Sequence, residues 1–161
     1  MLAHVDDNFE TPESIMNEIK KKTGINFHLD VCATKNNTKC RKFFTKKQDA
    51  LSLPSWKILR NGKQQNIFCN PPRSLNGRFV KRLIYEWITN NYNIVLLLTW
   101  NDFGNKYGNP LIDYWKNNEI EITNLGKVYF AKKNKVSKFP SRLTYCWIWF
   151  KAKDITITDK N

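Results

Sequence analysis

The stretch Ile67-Phe68-Cys69-Asn70-Pro71-Pro72-Arg73-Ser74 decides how the chain is read. A short apolar run ends in an amide and two consecutive prolines. Neither proline has an N–H to donate, so Pro71 and Pro72 cannot continue a central sheet ladder. Residues before proline are pushed toward extended conformations. Asn70 is therefore expected at the tip of a strand, its side chain and the carbonyls after it held stiffly in the open. In an open α/β sheet, ligands bind at that end of the strands.

Working outward, helix and strand signals alternate. Thr11-Pro12-Glu13 predicts a helix start with Thr11 as N-cap and Pro12 at the first helical position. Ile15, Met16 and Ile19 share a face, Lys20 to Lys22 load the C-terminal end, and Gly24 closes the helix. Residues 25–32 alternate and predict a first strand with Asp30 near its C-terminal end. The basic run from Thr34 to Lys47 reads as loop with at most one helical turn, and Asn61-Gly62 as a turn. Beyond Pro72, residues 78–89 carry Phe79, Val80, Leu83, Ile84, Trp87 and Ile88 at helical spacing. Ile94 to Leu98 is an apolar run that predicts a buried strand. Asn109-Pro110 starts a helix with Leu111, Ile112 and Trp115 inward. Glu119 to Thr123 predicts a strand, and residues 127–130 and 143–150 an antiparallel pair joined by a basic loop. Trp147 and Trp149 alternate along that last strand. This order predicts an α/β, Rossmann-like sandwich with an antiparallel edge. A lead-in over residues 1–8, one domain over 9–150 and a polar, frayed tail over 151–161 are expected.

The 161 residues contain 27 Lys and Arg against 14 Asp and Glu, a formal net charge of +13. Such a surface suits a polyanionic partner, most simply nucleic acid, although a Lys-, Asn- and Ile-rich composition also follows from an AT-rich genome. Six tryptophans argue against disorder. No apolar run approaches a membrane span and no signal-peptide pattern opens the chain, so an intracellular protein with no membrane contact is expected. Cys32, Cys40, Cys69 and Cys146 form no C-x-x-C pair, and His4 and His28 are the only histidines. No metal site is expected, and the cysteines read as free thiols in a reducing compartment.

An Asn-Pro-Pro tip has a specific chemical use. The exocyclic amine of adenine is a poor nucleophile because its lone pair is delocalised into the ring. Two acceptors aimed at its hydrogens, the Asn70 side-chain oxygen and the Pro71 carbonyl, pull the nitrogen toward tetrahedral geometry. The tetrapeptide resembles the Asp/Asn-Pro-Pro-aromatic motif of amino-methyltransferases that use S-adenosylmethionine. Arg73 departs from it, standing where an aromatic residue normally stacks on the target base. A rigid surface turn would also explain the tetrapeptide alone.

The resemblance widens through Thr11-Pro12, Leu29-Asp30-Val31-Cys32-Ala33, Asn36-Asn37, Phe43-Phe44-Thr45, Asp49-Ala50-Leu51, Trp56, Leu96-Leu97-Leu98 and Gly126-Lys127-Val128-Tyr129-Phe130. Over residues 9 to 150 the chain resembles the phage-type DNA adenine methyltransferases. The resemblance implies S-adenosylmethionine as cofactor, with Asp30 and Asp49 meeting its polar groups and Cys32-Ala33 making a close approach. It puts Thr11-Pro12 at the border of that pocket and gives Asn70 a place in it. The family's Trp near that entry is replaced by Phe9, and the glycine-rich dinucleotide fingerprint is absent. Read locally, Asp30, Asp49 and Thr11 are equally explained as turn or helix caps.

The resemblance also implies Asn70, Pro71, Pro72 and Arg73 as the catalytic tip, acting by positioning and electrostatics on a base flipped out of its duplex. Two basic segments flank it. Lys39, Arg41 and Lys42 lie in one and Lys132, Lys133, Lys135, Lys138 and Arg142 in the other, and both are expected to contact DNA phosphates. Arg73 leaves two readings open. As a planar cation it stacks on the base, and the chain methylates adenine in DNA. Alternatively it holds a phosphate or a carboxylate such as Asp102, and the chain is an inactive methyltransferase-fold protein serving as a nucleic-acid-binding or partner subunit. Methylation of RNA or protein is a third reading.

Overall fold

A computed structural model describes residues 10–60, 62–105, 109–132 and 135–154. The expected lead-in and most of the expected tail lie outside these residues.

The first helix, α1 (Glu13–Thr23), buries Ile15, Met16 and Ile19, and Gly24 closes it at φ 70° with its N–H on the Lys20 carbonyl, 2.8 Å. The start differs from expectation. Pro12, at φ −61° and ψ 146°, is the N-cap, and Thr11 makes no cap bond because its side chain is buried elsewhere. Strand β1 (Leu29–Asp30) is shorter than the predicted 25–32. Phe27, N-terminal to it, packs against Phe68 instead, with ring centroids 5.3 Å apart. Strand β2 (Lys42–Phe43) lies inside the run read as loop, paired in parallel with β1. Two residues, one of them an exposed lysine, give no alternation to read, and a short lysine-bearing strand is how sheet edges are protected.

Strand β3 (Asn66–Cys69) leads into Asn70-Pro71-Pro72 as expected. A 3₁₀ turn (Arg73–Leu75) then feeds α2 (Asn76–Asn90), which buries Phe79, Val80, Leu83 and Trp87 and leaves Ile88 exposed. Strand β4 (Asn93–Thr99) is buried from Ile94 onward. A short helix, α3 (Trp100–Phe103), follows, capped by the Thr99 hydroxyl accepting the Asp102 N–H. Helix α4 (Asn109–Lys116) turns Leu111 inward but leaves Trp115 largely exposed, with one edge-on contact to Phe103.

The predicted break between residues 123 and 127 is a bulge, not a loop. Strand β5 (Ile120–Lys127) runs through it, with Gly126 at φ 64° and its N–H on Asn124 Oδ1, 2.9 Å. The partner of β5 is β8 (Thr144–Phe150), and residues 128–130 join neither ladder. Between them stands a separate hairpin, β6 (Ala131–Lys132) with β7 (Lys135–Val136). The tail starts anchored: Trp87 Nε1 donates to the Lys151 carbonyl at 2.7 Å, and the Lys153 N–H donates to Asn91 Oδ1 at 2.7 Å.

The six-stranded sheet has the order β2-β1-β3-β4-β8-β5. β1 to β4 are mutually parallel, and β8 is antiparallel to both its neighbours, supplying the expected antiparallel pairing next to the outer strand. Alternation along β4 builds two cores. Ile94, Leu96 and Leu98 pack with α2 and α4, while Val95 and Leu97 pack with α1, Phe68 and Trp147. The chain leaves β1 toward β2 on one side and returns to β3 on the other, so the sheet changes direction between β1 and β3. Such a switch point opens a crevice at the carboxyl ends of the strands.

Candidate functional site

A cleft of about 1490 Å³ lies at that end of the sheet. Its wall includes Thr11, Asp30, Cys32, Ala33, Asp49, Asn70, Pro71, Pro72 and Arg73, so the structure gathers nearly all the residues expected at the catalytic tip and the cofactor pocket. Pro12 is the exception and lines a smaller pocket over α1. Single small-molecule sites occupy about 300–1,000 Å³, so this cleft has room for two ligands side by side.

Asn70 follows β3 at the centre. Its Nδ2 donates to Thr11 Oγ1 at 3.1 Å, and Thr11 is 2 % exposed. Among the described residues no protein donor meets Asn70 Oδ1. With the nitrogen tied to a buried hydroxyl, the oxygen is the atom left to accept from a ligand.

Asp30 ends β1 one strand away, 2 % exposed. Its Oδ1 accepts the Cys32 N–H at 3.2 Å and its Oδ2 the Lys39 N–H at 3.0 Å. It thereby holds the loop that also carries Ala33, whose N–H bonds the Phe44 carbonyl at 3.0 Å. Burial raises the Asp30 pKa from 3.8 to about 6, against the pull of the two backbone donors and the Lys39 charge. The raised value fixes the sign of a pH effect. The native state binds the proton more tightly than the unfolded chain, so this stabilising contribution is complete below about pH 4 and is lost as pH rises through about 6. The rise from 3.8 to about 6, at about 1.36 kcal/mol per unit, amounts to ~3 kcal/mol. Urea titrations from pH 4 to 7 are expected to show the parent losing about that much relative to Asp30→Asn; parallel curves would mean Asp30 is solvated.

Asp49 sits at φ 48° in an exposed turn, with its Oδ1 accepting the Leu51 N–H at 3.2 Å and its Oδ2 the Ser52 hydroxyl. Trp56, fully buried, fastens this turn by donating from Nε1 to the Ala50 carbonyl at 2.8 Å. Cys32 Sγ lies 3.9 Å from Cys69 Sγ, and burial pushes the Cys69 thiol well up, so it stays protonated. All four cysteines are free thiols.

The other half of the cleft has different chemistry. Arg73, with its side chain 45 % exposed, places Nε 3.8 Å from Asp102 Oδ2. That oxygen also accepts from Thr99 Oγ1 at 2.5 Å and Asn76 Nδ2 at 2.8 Å. Asp102 is the carboxylate expected as a partner for Arg73. Tyr145, the second residue of β8, lies opposite Thr99, and Phe130 packs edge-on against it. The loop from Ser137 to Leu143 closes this end. It is pinned by the Ser137 N–H on the Phe130 carbonyl and the Ser141 N–H on the Val128 carbonyl, both 2.8 Å. Sequence reasoning passed over Phe130 and Tyr145 as functional residues. The pairing that brings Tyr145 to Thr99 spans 46 positions of chain and leaves no local signal.

Of the expected phosphate contacts, Lys39 and Arg142 line the cleft. Arg41, Lys42, Lys132, Lys135 and Lys138 are exposed outside its wall, and Lys133 lies outside the described residues. Among the described residues no helix is long and apolar enough to cross a membrane, and no three His, Cys, Asp or Glu side chains converge as a metal site would need.

A mixed sheet with a cleft at its switch point defines a Rossmann-like α/β protein. The chain belongs to the DNA N-6-adenine-methyltransferase (Dam) family, whose model matches residues 1–140. It is 33% identical over 94 residues to the DNA N-6-adenine-methyltransferase of Haemophilus phage HP1 (strain HP1c1), a match covering 57% of this chain and 49% of the relative. To the protein of the same description from Escherichia phage T1 it is 31% identical over 93 residues, 58% of this chain and 36% of the relative. The matches thus span about half, or less, of the length of these curated relatives.

Proposed function

We propose that this chain transfers the methyl group of S-adenosylmethionine to the 6-amino group of adenine in DNA. The observation that carries the reading is Asn70 on the cleft wall at the switch point, its nitrogen donating to buried Thr11 and its oxygen thereby left to accept from a ligand.

The cleft fits the cofactor. Its β1 end sets Asp30 and Asp49, together with Lys39 and Lys46, about the half-buried ring of Phe44, a setting for a ligand that carries an ammonium, a carboxylate and an adenine ring. S-adenosylmethionine supplies an activated methyl group on a positively charged sulfur. Asn70 Oδ1 and the Pro71 carbonyl take the two hydrogens of the acceptor amine. The nitrogen moves toward tetrahedral geometry and regains the lone pair that takes the methyl group, whose old bonding pair stays on sulfur; the methylated nitrogen then gives up one of its two protons to solvent. Pro72 stiffens the tip, so the two acceptors need no reorganisation as charge develops. The target base must leave its duplex to reach this depth.

The deciding measurement is N6-methyladenine formed in duplex DNA, single-stranded DNA and RNA incubated with the protein and labelled cofactor. Product in DNA is expected. Product in RNA alone would change the polymer, and no product from any acceptor would sink the activity. The Arg73–Asp102 pair favours one rival. A charged residue engaged by a carboxylate gives the motif no aromatic face, as in a chain that keeps cofactor and DNA binding without transfer.

DNA contact makes its own prediction. Lys135, Lys138 and Arg142 are exposed, and no Asp or Glu occurs between Glu121 and Asp154. Changing all three to Gln is expected to weaken binding to every DNA sequence alike. It should also flatten the dependence of log K on log salt by about one unit per lost phosphate contact. An unchanged slope would place the nucleic acid elsewhere.

A further inference from the structure

We propose that the β8 end of the cleft is an aromatic subsite for a purine ring, in which Tyr145, steadied by Phe130, supplies the flat face that position 73 does not. The inference rests on the adenine-methylating reading above. A base taken out of its stack needs a flat face in place of its neighbours, and protein sites provide aromatic rings or guanidinium planes for this.

The rings on the cleft wall differ in what they can offer. Phe68 and Phe79 are buried in the two cores. Phe44 belongs to the β1 end, its N–H on the Asp30 carbonyl at 2.9 Å. Phe139 projects from the rim and is exposed. Tyr145 is half-buried inside the cleft, and Phe130 meets it at 5.0 Å between centroids and 74° between planes. Tyr145 also packs against the α1-side core, and the side of the ring that lines the cleft is the one left for a base.

Placement supports the same ring. Tyr145 is the register partner of Thr99, and β8 lies two strands from β3. Two strand spacings are about 10 Å, room for one ring between Asn70 and Tyr145. Burial raises the phenol pKa, with Arg73 opposing and Asp102 reinforcing the rise, so the ring sits within reach of both charges and is neutral at pH 7. Arg73 Nε stands 3.8 Å from Asp102 Oδ2, an ion-pair contact without a hydrogen bond, and Asp102 is hydrogen-bonded to Thr99 and Asn76. Stacking the guanidinium on a base would break that pairing; stacking the base on Tyr145 leaves it intact.

The test reads binding without turnover, by fluorescence titration of a single-stranded oligodeoxyadenylate carrying one 2-aminopurine. Tyr145→Leu refills the contact with Phe130 but has no π face. It is expected to bind about 5–150-fold more weakly, with its salt dependence unchanged because no phosphate contact is lost. Tyr145→Phe should stay close to the parent. The sharpest arm is Arg73→Tyr in the Tyr145→Leu background, which returns a ring to the same slot and should recover most of the loss. Should Tyr145→Leu melt below the assay temperature, Tyr145→Met carries the same comparison. Equal binding by parent and Tyr145→Leu, a loss that Arg73→Tyr fails to recover, or a parent that does not bind the oligonucleotide at low salt would each overturn the subsite. Its failure is separable from failure of the activity. A parent that binds in this pattern but methylates nothing refutes the transfer alone. A parent that methylates as well as its Tyr145→Leu variant refutes the subsite alone.

Discussion

Asn70→Ala is expected to lower the single-turnover rate of methyl transfer by about 10²–10³-fold, the scale measured when one preorganised hydrogen-bonding group is removed from a transition state. Cofactor affinity and DNA affinity should fall far less than the rate, because Asn70 is one of many residues on the cleft wall and the other contacts to both ligands remain. The size follows from the geometry. The Asn70 nitrogen is already engaged with Thr11 Oγ1 at 3.1 Å, so only its oxygen works on the substrate. Removing it leaves the Pro71 carbonyl as the single remaining acceptor, and the amine keeps its lone pair in the ring. Thr11→Ala, which frees the amide to rotate, should reduce the rate less and leave KM nearly unchanged. Asn70→Asp should retain part of the rate, since a carboxylate accepts from the amine and from the Thr11 hydroxyl together. Rapid-quench measurement of N6-methyladenine separates these cases. An Asn70→Ala rate equal to the parent's would remove the strand tip from the chemistry altogether.

The strand tip was legible because proline chemistry is local: Pro71 and Pro72 end a ladder whatever surrounds them. So was the helix expected over 78–89 and found at Asn76–Asn90, where six apolar residues repeat at 3.6 spacing, and the buried run of β4. Thr11 shows where local reading stops. Its sequence neighbours describe an N-cap, yet its hydroxyl is spent on an amide 59 positions away. Pro12 takes over the cap, since its φ of −61° and ψ of 146° already suit the position. Strand β2 was missed for a related reason. Two residues have no period, and only the neighbouring edge of β1 makes them a strand. The bulge at Asn124 and Gly126 hid the continuity of β5, because a glycine at φ 64° reads as a break while the strand resumes beyond it. Asp30 combines both lessons. Its place at the end of β1 was readable, but its carboxylate is engaged by two backbone donors of its own loop, a contact with no local signal, so it shapes the cleft wall through the loop it holds.

Glu86→Ala is expected to destabilise the fold by about 3–5 kcal/mol, the cost of leaving a buried partner charge uncompensated. Glu86 is 1 % exposed on α2; its Oε1 accepts from Arg82 Nε at 2.8 Å and lies 2.7 Å from the Arg82 Nη2 charge, and its Oε2 accepts from Asn90 Nδ2 at 2.7 Å. The Arg82 side chain is 15 % exposed and lies 5.0 Å over the Trp56 ring, with Nη1 3.4 Å from the Leu51 carbonyl. Trp56 in turn holds the Ala50 carbonyl. One buried charge pair thus fastens the turn bearing Asp49, and with it one wall of the cleft, to α2. Its loss should reach beyond stability. Cofactor binding, read by calorimetry at a temperature where the variant is still folded, should weaken as the Asp49 turn loosens. The pair Glu86→Leu with Arg82→Met supplies the control. It removes both charges while keeping apolar volume over Trp56, and should regain most of the lost stability, as paired hydrophobic replacements of buried ion pairs do. It should not regain all of the cofactor affinity, because the bond to the Leu51 carbonyl is gone. Urea titrations of the three proteins give the answer, and a Glu86→Ala loss under about 1 kcal/mol would mean that solvent reaches Arg82 and that the turn is held by Trp56 alone.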